Sequence, residues 1–236
     1  MNTVRWIAAA IGGVAIAAAI SPTALPVAEI RSSWLGFDRL RSFLSGGPLQ
    51  DSNRGRDGGS RGGGLCLINP GQGEVVWTVE PLLLLQGNLQ STALYVADGE
   101  EPLWSAPIAP IDDFVAKLPY DGDPLQPGTT YEQQVEMFRL DFSVASSRRY
   151  AFQVMPEGEE RDHIEAELAQ LEAELAQAKG DAEAIALAKT EFFFERNLAA
   201  DALQALFSVD DPSAELVETR QAIIEIVCQQ DLQPLP

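Results

Sequence analysis

Apolar residues recur along this chain with several different periods, and each period predicts a different element. Between Arg5 and Ser21-Pro22 runs an Ala-rich apolar stretch, Trp6 to Ile20. Its 15 residues fall short of the ~20 needed to span a bilayer comfortably and match a secretory h-region. Residues 1–28 are therefore expected to be a targeting segment. Cleavage stays open: Pro22-Thr23-Ala24 and Pro26-Val27-Ala28 put proline where a small residue is preferred, and Ala17-Ala18-Ala19 lies inside the apolar run. A cleaved signal peptide and an uncleaved signal anchor both fit.

From 29 to 45 the spacing becomes helical, with Ile30, Trp34, Phe37, Leu40 and Leu44 three or four apart and Arg31, Arg39 and Arg41 between them. This amphipathic helix would either lie on a membrane surface or pack on the folded body. Residues 46–64 hold eight glycines in 19 and read as a flexible linker. They include Arg-Gly pairs, but Asp51 and Asp57 interrupt them and no aromatic residue is interleaved, so the linker reading outweighs a nucleic-acid-binding one. No Gly-Lys-Ser or Gly-Lys-Thr follows, which removes a phosphate-binding loop.

Short β-prone runs follow: Val75–Val79, Ala93–Val96, Leu103–Ser105, Phe114–Leu118, Thr129–Phe138 and Tyr150–Met155. Turn signals separate them at Asn69-Pro70-Gly71, Asp98-Gly99, Asp121-Gly122-Asp123-Pro124 and Pro127-Gly128. The clearest alternation sets Tyr131, Gln133, Val135 and Met137 against Glu132, Gln134, Glu136 and Phe138, one mostly apolar face and one mostly polar. Residues 65–156 are thus expected to form an antiparallel β-sandwich.

Ahead of that strand, Leu125-Gln126-Pro127-Gly128-Thr129-Thr130-Tyr131 resembles the Leu-x-Pro-x-Thr-x-Tyr turn of fibronectin type III domains. The resemblance implies an immunoglobulin-like sandwich and a tyrosine corner in which Leu125 plugs the end and the Tyr131 hydroxyl bonds back to the backbone, with Pro127 and Thr129 shaping the turn. The order of features over residues 55–228 is also similar to a family of uncharacterised cyanobacterial exported proteins: a Gly/Arg linker ending near a cysteine, a β region with Leu103-Trp104-Ser105, then helices containing Asp201-Ala202-Leu203. That family implies an address and a fold, and no site residues.

Beyond residue 157 the period is helical again. Ile164, Leu168, Leu171 and Leu175 share one face of Glu157–Ala178; Ile185, Ala188, Phe192, Leu198, Ala202 and Leu206 make a second stripe over Asp181–Phe207; Leu216, Ile223, Ile224 and Val227 make a third after a cap at Asp211-Pro212. This predicts a helical hairpin or three-helix segment over residues 157–230, weakly similar to a single tetratricopeptide-like unit. Phe192-Phe193-Phe194 covers too wide an arc for one stripe, so at least one ring should face the β region or a partner. The expected class is α+β.

Charge changes the picture most in this tail. The chain has 35 Asp and Glu against 16 Lys and Arg, a net charge of −19, and 19 of the acids against five of the bases lie between Glu157 and Asp231. Such a charge repels phosphate backbones and points to a basic protein partner, not nucleic acid. The acids do not form a calcium loop, since no Asp-x-Asp-x-Asp-Gly is present. Cys66 and Cys228 have no metal-ligand spacing; in an exported chain they are candidates for one disulfide, the alternative being two buried thiols.

Little chemistry is legible. His163 is the lone histidine, on a Glu-rich helix with no Gly-x-Ser-x-Gly elsewhere, and reads as a surface residue. No catalytic group, metal or cofactor is expected. The expected function is a non-catalytic interaction or scaffold protein of the cell envelope, periplasmic or extracellular, with membrane contact through its N-terminus. The alternative is a carbohydrate-binding or hydrolytic accessory module using Trp77 or Trp104, which otherwise read as core residues.

Overall fold

The computed structural model describes residues 65–108, 115–138 and 144–229. The expected targeting segment, the amphipathic helix of 29–45 and the whole linker of 46–64 lie outside the described residues. Two sheets precede four helices, so the class is α+β. In one sheet β3 (Leu82–Gln86) lies between β1 (Cys66–Asn69) and β6 (Val115–Pro119), all antiparallel. The other runs β2 (Val75–Val76), β8 (Val144–Val154), β7 (Thr130–Phe138), β4 (Leu89–Val96), β5 (Trp104–Pro107). Its β2–β8 pair is parallel, so this sheet is mixed where antiparallel pairing was expected.

The alternation read for β7 appears as burial: Tyr131, Gln133 and Val135 are buried, while Glu132, Gln134 and Glu136 are partly exposed. β3 shows no alternation because both its faces are covered. Leu82 and Leu84 belong to the cluster formed with the helices, whereas Leu85 packs with Leu67 and Ala116 against Leu89, Val135 and Tyr150 of the five-stranded sheet. A strand covered on both sides has no polar face to show, so four consecutive leucines gave no period-two signal.

The helices are α1 (Glu159–Gln177), α2 (Ala182–Glu195), α3 (Ala199–Phe207) and α4 (Ala214–Gln229). α1 and α2 part at Lys179, in the left-handed region, and Asp181 caps α2 by accepting the Ala184 N–H at 2.8 Å. The single helix expected over Asp181–Phe207 is broken in two, because Asn197 takes φ 58°. Asn tolerates that conformation at a helix end better than most residues, which turns Arg196-Asn197-Leu198 into a corner. The expected Asp211-Pro212 cap is replaced by Ser213, whose Oγ accepts the Leu216 N–H at 3.2 Å. The corner allows all three rings of Phe192-Phe193-Phe194 to be buried, and Phe193 meets Trp77 at 5.9 Å between centroids.

A disulfide joins Cys66 of β1 to Cys228 near the end of α4, with Cα atoms 5.7 Å apart at a sequence separation of 162. Among the described residues no helix is long and apolar enough to cross a membrane.

Candidate functional site

The richest polar arrangement lies where α3 meets the connection from β2 to β3. β2 supplies only two ladder residues, so the chain after it must find partners elsewhere for its backbone N–H and C=O groups. Side chains one turn apart on α3 supply them. The Trp77 and Thr78 N–H groups donate to Asp201 Oδ2 and Oδ1, each at 2.8 Å. Gln204 Oε1 accepts the Leu82 N–H at 2.9 Å, while Gln204 Nε2 donates to the Glu80 carbonyl at 3.1 Å. From α1, Arg161 Nη1 donates to the Trp77 carbonyl at 2.7 Å, and its guanidinium stands 5.3 Å from the centre of the Trp77 ring.

Asp201 is only 3% exposed, and that burial drives its carboxyl up to about 6; the Trp77 and Thr78 N–H groups and the charge of Arg161 oppose the rise. Both oxygens hold backbone donors, so the group acts as a structural clasp. On the far side of α3, Arg220 of α4 donates to the carbonyls of Leu206 and Val209, closing the C-terminal end of the helix where orphan carbonyls collect. Burial lowers the pKa of this arginine.

Beside the clasp, α1, α2 and α3 enclose a groove of about 520 Å³. Its lining includes Trp77, Glu165, Leu168, Phe193 and Asp201, with Lys189 bridging to Glu172 at 2.6 Å across α1 and α2. The Trp77 Nε1–H is buried with no hydrogen-bond partner among the described residues. A second groove, about 430 Å³, is lined by Glu160, His163, Glu167, Glu195 and Arg196. Here Arg196 lies 3.6 Å from the centre of the Phe192 ring and reaches Glu167 at 2.7 Å, which lowers the pKa of Glu167. His163 is exposed and sits 3.3 Å from Glu167. No group of three or more metal-ligating side chains is assembled among the described residues.

The residues singled out in the sequence are placed as follows. Leu125 is 3% exposed and packs with Tyr131, whose hydroxyl oxygen accepts the Gln126 N–H at 2.8 Å. Pro127 and Gly128 form the turn before it, with φ +78° at Gly128 and the Thr129 N–H donating to the Gln126 carbonyl at 3.3 Å, so glycine suits the third position. Trp104 is half-buried, edge-on to Tyr120 at 5.5 Å, and its indole N–H donates to Asp121. The structure does not bring the two tryptophans together: Trp77 joins the helix-side cluster, Trp104 a cluster in the sheets. Asp201 and Gln204 were missed because nothing in a helical stripe separates a buried acid from a solvated one. The signal available was an Asp at a position that continues the apolar face.

No protein-family model matches the chain, and no curated protein matches it. Among solved structures it is similar to Astrotactin-2, described as a conserved vertebrate-specific and perforin-like membrane protein involved in neuronal development, at 9% identity and a TM-score of 0.26. The likeness covers 67% of this chain and 38% of that one, and at that score it carries no argument about fold or function.

Proposed function

We propose that this chain is a non-catalytic interaction or scaffold protein of the cell envelope, exported or membrane-anchored, whose acidic helical layer meets a basic protein partner. The observation that carries this reading is α1. Of its 19 residues only Ile164, Leu168 and Leu175 are buried, while Glu159, Glu160, Asp162, Glu165 and Glu172 are exposed along a helix anchored to the sheets. Such a face attracts positive surfaces over the range of the Debye length, about 8 Å at physiological salt. The envelope address rests on the apolar run of residues 6–20.

An immunoglobulin-like sandwich is the architecture proposed for the two sheets. The cluster joining Leu67 and Leu85 to Val135 and Tyr150, together with the Tyr131 corner, supports it. The carbohydrate reading draws less support, because the Trp77 ring is already engaged by Arg161 and Phe193, and Trp104 by Tyr120 and Asp121.

The test is capture from a cell-envelope extract with the full chain and with a variant carrying E159K, E160K and D162K. The reading expects a basic protein that is retained by the wild-type chain, released by salt and lost with the variant. Nothing above background, or equal capture by both, overturns it.

A further inference from the structure

The molecule uses one way of holding a guanidinium twice among its described residues. Arg196 lies on the Phe192 ring with Glu167 at 2.7 Å and the Phe192 carbonyl at 2.7 Å. Arg149 lies 3.8 Å from the centre of the Tyr95 ring with Glu132 at 3.3 Å and the Gly99 carbonyl at 2.7 Å. Each time an aromatic face takes the planar cation and a carboxylate takes its charge, a combination suited to arginine more than lysine.

Moving one residue along α2 and two back along α1 again finds a phenylalanine and a glutamate, here with the ring packed on Trp77 and Phe192. Phe193 stands next to Phe192, Glu165 precedes Glu167, and both line the groove of about 520 Å³. Among the described residues, no arginine lines that groove. Lys189 is engaged by Glu172, while Glu165 is exposed and has no ion pair among the described residues. With Glu172 paired to Lys189 and both Asp201 oxygens held by backbone N–H groups, Glu165 is the carboxylate that leaves the groove favouring a cation over an anion, and Leu168, Ala169 and Ala205 offer apolar wall to an aliphatic stem.

We propose that this groove is the docking site for an arginine side chain on the basic partner; the proposal rests on the interaction reading and names its contact point. The stem lies along Ala169 and Ala205, and the guanidinium meets Glu165 beside Phe193. The helix layer thus completes between molecules the cradle that it builds for itself around Arg196.

The test is calorimetric titration of the full chain with a capped peptide of arginines spaced by glycine, alongside its lysine and citrulline counterparts. The proposal expects the arginine peptide to bind, the lysine peptide to bind more weakly, and the neutral citrulline peptide not to bind. E165Q, which removes the charge, and A169W, which fills the groove from an exposed position, each weaken arginine binding about tenfold, while E218Q on α4 changes it less than about twofold. Circular dichroism melts matching wild type establish that the variants are folded. Binding unchanged in E165Q and A169W but lost with E159K, E160K and D162K overturns the groove and leaves the interaction reading standing. Equal binding of the lysine peptide overturns the arginine assignment. No binding of either basic peptide overturns both proposals.

Discussion

The interior of the five-stranded sheet and the junction between the sheets and the helices handle buried polar groups differently. Within the sheet the ladders satisfy the backbone, and the bonds of buried polar side chains stay between neighbouring strands: Gln133 Nε2 donates to Thr92 Oγ1 at 3.2 Å, and that hydroxyl donates to the Gln134 carbonyl at 3.0 Å. At the junction the ladder stops after Val76, and the donors and acceptors of Trp77, Thr78, Glu80 and Leu82 that no strand pairs are taken by Asp201, Gln204 and Arg161. The sheet's polar groups are therefore met within the sheet, whereas the junction depends on single side chains 84 or more residues away. Loss of one such side chain leaves partly buried donors unpaired, which costs more than the net worth of the bonds themselves.

Four measurements break or sharpen that contrast. The largest effect is expected from C66S/C228S. Freeing β1 from α4 releases a closed loop of 162 residues' separation, worth about 5 kcal/mol by chain entropy, and should appear as a lower midpoint in chemical denaturation under non-reducing conditions. Next, D201A leaves two partly buried N–H groups without their acceptor and should lower stability at neutral pH by about 3 kcal/mol, while T92A, which leaves the single Gln133 Nε2 donor unpaired in the sheet, costs about 1 kcal/mol. Equal losses at the two sites would remove the distinction between junction and sheet.

The third measurement uses pH. The Asp201 carboxyl is raised from an ordinary 3.8 to about 6. The folded state therefore binds this proton more tightly than the unfolded chain does. The stability it contributes is fully present below pH ~4 and is lost as pH rises through about 6, a difference on the order of 3 kcal/mol. The difference in stability between wild type and D201N, measured from pH 4 to 7, should fall by that amount; a flat difference would show that the carboxylate is not desolvated. The smallest effect belongs to Y131F. Removing the oxygen that accepts the Gln126 N–H should cost about 1 kcal/mol in thermal or chemical melts, because that N–H sits near water and recovers part of the bond.

Legibility followed the same divide. β7 could be read because one of its faces is buried and the other wetted, and the turn at Pro127-Gly128 because its residues have few other conformations to adopt. The stripes of α1 and α4 were legible for the same reason of one-sided burial: Ile164, Leu168, Leu216 and Ile223 are all buried. β3 and β1 were not, since Leu82–Leu85 are buried on every side and Cys66–Asn69 is too short to show a period. The break at Asn197 is a choice of one residue's backbone that a stripe of apolar positions does not report.

The sequence by itself determined the α+β order, the acidity of the helical tail and the local geometry of the Tyr131 turn, all of which depend on neighbours close along the chain. The tertiary structure alone decided which acid is buried. Asp201 and Glu165 have the same charge and comparable places on helices. One is clasped by Trp77 and Thr78 while the other stands at the rim of a groove, because burial depends on what a fold places opposite a residue, and for Asp201 those neighbours lie more than 120 residues away in sequence.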